Sequence, residues 1–153
     1  MIERRSLQQA EQKPDGLTIT LPFNSRSQDL GGFVEVISPT AFTRTLADQA
    51  TEVLALWSHR VDMPLARRST GSLTLSADGV QLTAHIKPDQ TTWSADAAAS
   101  IAAGTTRGGS FGFVTKSDSW ERRSGQWFRV LNDVDLLEIS PVALPAYPQS
   151  SAA

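Results

Sequence analysis

The sequence of 153 residues contains no cysteine and only two histidines. The lack of cysteine excludes disulfides, thiol nucleophiles, iron–sulfur clusters and zinc sites of the cysteine type. Two histidines that lie far apart in the chain, His59 and His85, give no ligand spacing for a metal site. We therefore expect no metal and no cofactor.

The sequence also lacks a basic excess and long apolar runs. Fourteen Lys+Arg against sixteen Asp+Glu give a formal net charge of −2, whereas nucleic-acid-binding proteins usually carry a net positive charge. No apolar run approaches the roughly 20 residues that a membrane span needs, and no apolar stretch of the kind found in secretory signals follows the charged residues 1–16. We therefore expect a cytoplasmic protein without a nucleic-acid or membrane partner.

The patterning of the chain predicts one mainly β domain. Residues 1–16 are polar and are expected to form a flexible N-terminal arm, 17–148 the domain, and 149–153 a C-terminal tail. Alternating or continuous apolar runs predict about eight strands, and two stretches are typical of short helices. We expect a closed or nearly closed β-barrel with flanking helices, because closure removes exposed strand edges. The predicted strands cover 17–21, 32–37, 53–57, 71–76, 80–87, 109–117, 126–131 and 135–144, and the predicted helices 41–50 and 93–103.

Three segments place a reactive side chain next to a strand. His59 follows the apolar run 53–57, and histidine is the usual general base at neutral pH. Ser110 has glycines on both sides, which leave the backbone open to a substrate. Glu138 lies among apolar residues, and a buried carboxylate needs a partner. Each feature also has a structural interpretation: a hydrogen-bonded histidine, a glycine-kinked strand and an exposed glutamate.

The second histidine, His85, has a simpler interpretation. It alternates with the apolar residues of 80–87 and shares its face with polar side chains. We expect His85 to lie on the solvent face of its strand.

Taken together, the three segments resemble the prohead (capsid maturation) protease family of tailed double-stranded DNA phages, which is related in fold to the herpesvirus assemblin protease. The resemblance extends from about residue 32 to 148. It departs from the family pattern at Ser58, where Asn is usual, at Arg60, where Asp is usual, and at Ala66, where Gly is usual. The matching stretches are ISPTAF at 37–42, LWSH at 56–59, PL at 64–65, SFGF at 110–113, LEISPV at 137–142 and PAYP at 145–148.

The resemblance implies a serine endopeptidase with a herpesvirus-protease-like barrel. Ser110 would be the nucleophile, His59 the general base and Glu138 the third member of the triad. The resemblance also places the loop of oxyanion donors at 144–147. Pro145 has no N–H, so Ala146 or Tyr147 would be the donor.

The resemblance also implies partners and a place of action. The substrates would be the scaffold, or the scaffolding segment of the major capsid protein, and the protease itself. The enzyme would act inside the procapsid in the host cytoplasm and would self-associate as a homodimer. The alternative is a non-catalytic β-barrel module that serves as a scaffold or assembly partner with the same fold.

Overall fold

The described part of the chain is mainly β, with far more residues in strands than in helices. The computed structural model describes residues 1–7, 10–13, 15–23 and 28–143. The strands are β1 (Glu3–Leu7), β2 (Ala10–Lys13), β3 (Gly16–Pro22), β4 (Gln28–Asp29), β5 (Val34–Ile37), β6 (Leu54–Trp57), β7 (Arg60–Arg67), β8 (Leu73–Ala77), β9 (Gln81–Ile86), β10 (Gly108–Arg123) and β11 (Gln126–Val142), and the helices are α1 (Thr43–Ala47) and α2 (Thr92–Ala102).

The strands form two sheets around one core. The larger sheet has the order β1-β10-β11-β5-β4, and β6 also pairs with β11 and carries β7 on its other side. The smaller sheet has the order β2-β3-β9-β8. Alternate residues of each strand point inward, as the period of a β-strand requires. The core therefore combines side chains of both sheets, among them Leu17, Ile19, Leu82, Phe111 and Leu136.

The expectation of a closed or nearly closed barrel is wrong, because the larger sheet curls only into a half-barrel. Strand β11 is 17 residues long and pairs in parallel with β5 near one end and with β6 near the other. The sheet therefore branches at β11 instead of closing on its first strand. Within the described residues, no strand pairing joins it to the four-stranded sheet.

The predicted helices differ in how well they match the structure. Helix α2 agrees with its prediction to within one residue at each end; Thr91 accepts a hydrogen bond from the Ser94 N–H at 3.2 Å, and Gly104 follows with a φ of +75°. Helix α1 has only five residues. The Ser38–Thr40 segment starts turns instead, in which the Ala41 N–H donates to the Ser38 carbonyl.

Residues 1–16, which we expected to be an arm, contain two paired strands. Strand β1 pairs with β10, and its Arg5 side chain is buried and hydrogen-bonded to Glu35. Arg129 completes the network by donating to Glu3 at 2.8 Å and to Glu35 at 3.3 Å. Partial burial opposes ionisation of Glu3, but hydrogen bonds from Arg129 and Thr115 outweigh it and lower the pKa of Glu3. This network fixes β1 against the larger sheet.

Candidate active site

His59 lies in a two-residue turn between β6 and β7. Trp57 pairs with Arg60 across the turn, and both central residues are left-handed, Ser58 with φ +51° and His59 with φ +62°. Such turns match the twist of a hairpin, but left-handed backbone costs a non-glycine residue roughly 1–2 kcal/mol. Strand β11 compensates: the Ser58 N–H donates to the Pro141 carbonyl at 3.2 Å. The sheet therefore holds the histidine in a strained position.

The Glu138 carboxylate is the partner of the His59 ring. Glu138 is buried in β11, where it pairs with Leu54 of β6. Its Oε1 atom is hydrogen-bonded to His59 Nδ1. A carboxylate only accepts hydrogen bonds, so Nδ1 of the neutral ring carries the proton and Nε2 keeps its lone pair. This geometry suits a general base that acts through Nε2.

Arg4 is a charged side chain near Glu138, but it contributes little to the electrostatics of the carboxylate. Arg4 Nε lies 3.9 Å from Glu138 Oε1, and the Arg4 side chain is 51% exposed. Solvent screens such a contact. The electrostatics of the carboxylate therefore depend on its buried hydrogen bonds.

Ser110 lies on the same face of the sheet as Glu138. It pairs directly with Ser140 of β11, while Gly112 pairs with Glu138, and residues opposite each other in an antiparallel pair share a face. Ser110 is fully buried, and its hydroxyl donates to the Arg5 carbonyl at 2.9 Å. The structure thus brings Ser110 to the face of the His59–Glu138 pair, with its proton directed at β1 and not at the imidazole.

The other face of this segment belongs to the core, because alternate residues of a strand point to opposite faces. Phe111 and Phe113 are buried, with ring centroids 5.3 Å apart. Phe42 packs edge-on against Phe111 at 5.5 Å. This packing fixes the strand on which Ser110 lies.

Gly112 provides the space that the Glu138 carboxylate occupies. A Cβ atom at this position would lie 2.6 Å from Glu138 Oε1, closer than real Cβ contacts, and 3.2 Å from its Cδ. From the sequence we interpreted the glycines as access for a substrate. The structure gives Gly112 the additional role of making room for Glu138, the predicted third member of the triad.

If the chain has the endopeptidase activity that the resemblance implies, Gly112→Ala should reduce that activity more than stability. The added methyl group would displace the end of a flexible side chain and not backbone, so the fold should survive. The displaced carboxylate would lose its hydrogen bond to His59, and we expect kcat/KM to fall about 10- to 100-fold, the equivalent of one charged hydrogen bond. Cleavage assays and thermal melts of the same preparations test this. Full activity in a well-folded variant would contradict it.

The other residues singled out from the sequence are Ala146, Tyr147 and His85. Ala146 and Tyr147, predicted as oxyanion donors, lie outside the described residues. His85 is exposed in β9 of the smaller sheet, and its Nδ1 atom lies 3.0 Å from Thr18 Oγ1. The prediction that His85 is a surface residue is confirmed.

Ser140 is the residue of this site to which sequence reasoning gave no role. It is fully buried, and its hydroxyl donates to Glu138 Oε2 at 2.5 Å. Its Oγ atom also accepts a hydrogen bond from the His59 backbone N–H at 3.1 Å. The sequence could have indicated this role, because Ser140 follows Glu138 by two residues and residues two apart share one face of a strand.

No helix in the described part of the chain has the length and apolar character of a membrane span. In the same residues, no three His, Cys, Asp or Glu side chains are grouped so that they could hold a metal ion.

A buried serine on the same face as a histidine–carboxylate pair has the components of a serine hydrolase site. Comparison with protein families agrees with that class: residues 3–153 match the model of the caudovirus prohead serine protease. The chain therefore belongs to the caudovirus prohead serine protease family, a family of serine peptidases. Comparisons with curated proteins and with solved structures give no match.

Proposed function

We propose that the protein is a prohead maturation endopeptidase in which Ser110 is the nucleophile, His59 the general base and Glu138 the residue that orients the imidazole. The observation that supports this most directly is the hydrogen bond between His59 Nδ1 and the buried Glu138 carboxylate. It leaves Nε2 to accept a proton on the face where Ser110 lies. Family membership supplies the reaction class.

The mechanism requires the Ser110 hydroxyl to leave its present acceptor. Rotation about the Cα–Cβ bond would release the hydroxyl from the Arg5 carbonyl, a neutral acceptor, and turn it toward His59 Nε2. The imidazole then takes the proton as Oγ attacks the peptide carbonyl, and Glu138 stabilises the imidazolium.

The imidazolium returns the proton to the leaving amine, and water hydrolyses the acyl-enzyme by the same route. The tetrahedral oxyanion needs backbone N–H donors. We propose those of Ala146 or Tyr147.

The proposed substrates follow from the family and not from the geometry. The family indicates capsid proteins as substrates inside the procapsid. We propose that the chain cuts the scaffold, or the scaffolding segment of the major capsid protein, and then itself, and that it acts as a homodimer.

Co-expression with its cognate major capsid protein tests this proposal. We expect a shortened capsid protein when the wild-type chain is present and the full-length capsid protein with Ser110→Ala. An uncut capsid protein in both cultures, with folded protease in each, would contradict the proposal.

One observation favours the alternative of a non-catalytic assembly module. The Ser110 hydroxyl donates to Arg5 and not to His59, as expected of a serine that only supports the β1–β10 pairing. In that case Ser110→Ala would lower stability, and capsid assembly would depend on the presence of the chain without any cleavage.

Glu138→Gln and His85→Ala form a matched pair that tests the third member of the triad. Glutamine keeps the shape of Glu138 but loses the charge and can present an N–H to Nδ1, which fixes the wrong tautomer. We expect the rate to fall on the order of 10²–10⁴-fold, by analogy with other triads. His85→Ala, at an exposed site, should change the rate less than about threefold.

Both variants are measured on one capsid substrate. An inactive His85→Ala beside an active Glu138→Gln would overturn the assignment of Glu138.

A further inference from the structure

We propose that Ser140 is a positioning residue of the active site. Its hydroxyl holds the Glu138 carboxylate on one side and the backbone of His59 on the other. The proposal rests on the proposed function, in which His59 is the base and Glu138 its partner. Ser140 itself does not contact the substrate or the reacting atoms in this account. It acts through His59 and Glu138.

The hydroxyl of Ser140 is used in two directions. It donates to Glu138 Oε2 at 2.5 Å, which is the oxygen that does not contact the imidazole. Its Oγ accepts the backbone N–H of His59 at 3.1 Å. Ser140 is completely buried, so water does not compete for these bonds, and both are made in a low-dielectric setting where hydrogen bonds are stronger.

The hydrogen bond to Glu138 determines how the carboxylate is turned. Oε1 is hydrogen-bonded to His59 Nδ1 and Oε2 to Ser140. The carboxylate therefore cannot rotate without breaking these hydrogen bonds. A charged acceptor makes this one of the stronger kinds of hydrogen bond. Without it, the carboxylate would be free to turn about its last bond, and the imidazole would lose a fixed orientation.

The hydrogen bond to His59 holds the strained turn. Both residues of the turn have left-handed backbone, a conformation that persists only where the surroundings impose it. The Ser58 N–H is anchored to the Pro141 carbonyl and the His59 N–H to Ser140. Loss of the Ser140 hydroxyl would leave the turn with one of these two anchors.

Ser140 also has to be distinguished from the nucleophile, because Ser110 pairs directly with it across β10 and β11. The proton of Ser140 is directed at the Glu138 carboxylate, which orients the histidine. The proton of Ser110 is directed at the neutral carbonyl of Arg5. Breaking a hydrogen bond to a neutral acceptor costs less free energy than breaking one to a carboxylate. The geometry therefore assigns attack to Ser110 and positioning to Ser140.

The test compares Ser140→Ala, which removes the hydroxyl, with Ser140→Thr, which keeps it. For Ser140→Ala we expect kcat on a capsid peptide to fall about 10- to 100-fold with KM within about threefold, because one charged hydrogen bond is lost and no substrate contact. For Ser140→Thr we expect kcat within about fivefold of the wild-type value. Equal losses in two folded variants would contradict the role of the hydroxyl.

Proton NMR of the full chain gives a readout that does not depend on activity. We expect the wild type to show a downfield imidazole proton from the Nδ1–H of His59, assigned by its absence in His59→Ala. The resonance should be lost or broadened in Ser140→Ala and kept in Ser140→Thr. Since the chain has only two histidines, His85→Ala completes the assignment. An unchanged resonance in Ser140→Ala would overturn the proposal.

A double variant keeps the proposal testable if threonine does not fit. In the Glu138→Gln background, Ser140→Ala should lower the rate by less than about threefold, because residues that act as a unit are not additive. The full single-variant loss in that background would contradict the proposal, because Ser140 would then act without Glu138.

Failure of the proposed function has a different signature. It would appear as an inactive wild type or an active Ser110→Ala, whatever the NMR spectrum of the Ser140 variants shows.

Discussion

Ser110→Ala is expected to reduce capsid cleavage to background while leaving the fold intact. The substitution removes the proposed nucleophile and one hydrogen bond, to the Arg5 carbonyl, a neutral bond worth about 1 kcal/mol. The strand itself is held by its pairing with β1 and β11. The melting temperature should therefore fall by only a few degrees, on the order of 4 °C or less, in a variant without measurable peptidase activity.

Ser117→Ala is the matched control for this prediction. Ser117 lies in the same strand, β10, but is exposed, so its removal should change neither activity nor stability measurably. Cleavage of the capsid protein and thermal unfolding are measured on both variants. A Ser110→Ala protein that still cleaves at the normal rate would refute the proposed mechanism.

His59→Ala is expected to be as inactive as Ser110→Ala. A serine hydroxyl is a poor nucleophile at neutral pH without an adjacent base, and the other histidine, His85, lies in the smaller sheet. This variant should also lose stability, because the buried Glu138 Oε1 loses its partner, an effect of about 1–3 kcal/mol. His59→Asn is a second variant, since asparagine tolerates left-handed backbone better than alanine.

The double variant Ser110→Ala with His59→Ala distinguishes a shared role from separate ones. If the two side chains act as one unit, the double variant is no less active than either single variant. Rates measured on the same capsid substrate decide this. A further loss in the double variant would show that His59 contributes outside the nucleophilic step.

The sequence predicted those parts of the fold whose local chemistry and tertiary packing agree. The predicted strands 71–76 and 80–87 correspond to β8 and β9, which pair as a hairpin. In its turn, Asp78 Oδ1 accepts the N–H groups of Val80 and Gln81. Strand β1 was missed because its inward side chain, Arg5, is charged, and its buried ionic partner Glu35 comes from a distant strand. No local pattern shows such a pairing.

The candidate site was predictable in its residue types but not in its geometry. The apolar surroundings of Glu138 correctly indicated a buried carboxylate in need of a partner, and the structure places His59 there. The left-handed turn at Ser58 and His59 carries none of the Asn-Gly chemistry that usually marks such turns. Its conformation depends on hydrogen bonds from β11, which the sequence of the turn does not contain.

The closed barrel was predicted wrongly for a related reason. The number of strands suggested a sheet that closes to remove its exposed edges. It does not show that one long strand, β11, pairs with both β5 and β6. The runs 126–131 and 135–144 were predicted as separate strands. Their continuity in β11 is what lets the sheet branch.

The most direct test of the central claim is to treat the purified chain with a fluorophosphonate probe and map the adduct by mass spectrometry. The account predicts a single adduct on Ser110 that is absent in Ser110→Ala and forms far more slowly in His59→Ala, because the probe reacts only with a serine that a base activates. A folded wild-type chain without an adduct, or with its adduct on Ser140, would contradict the account.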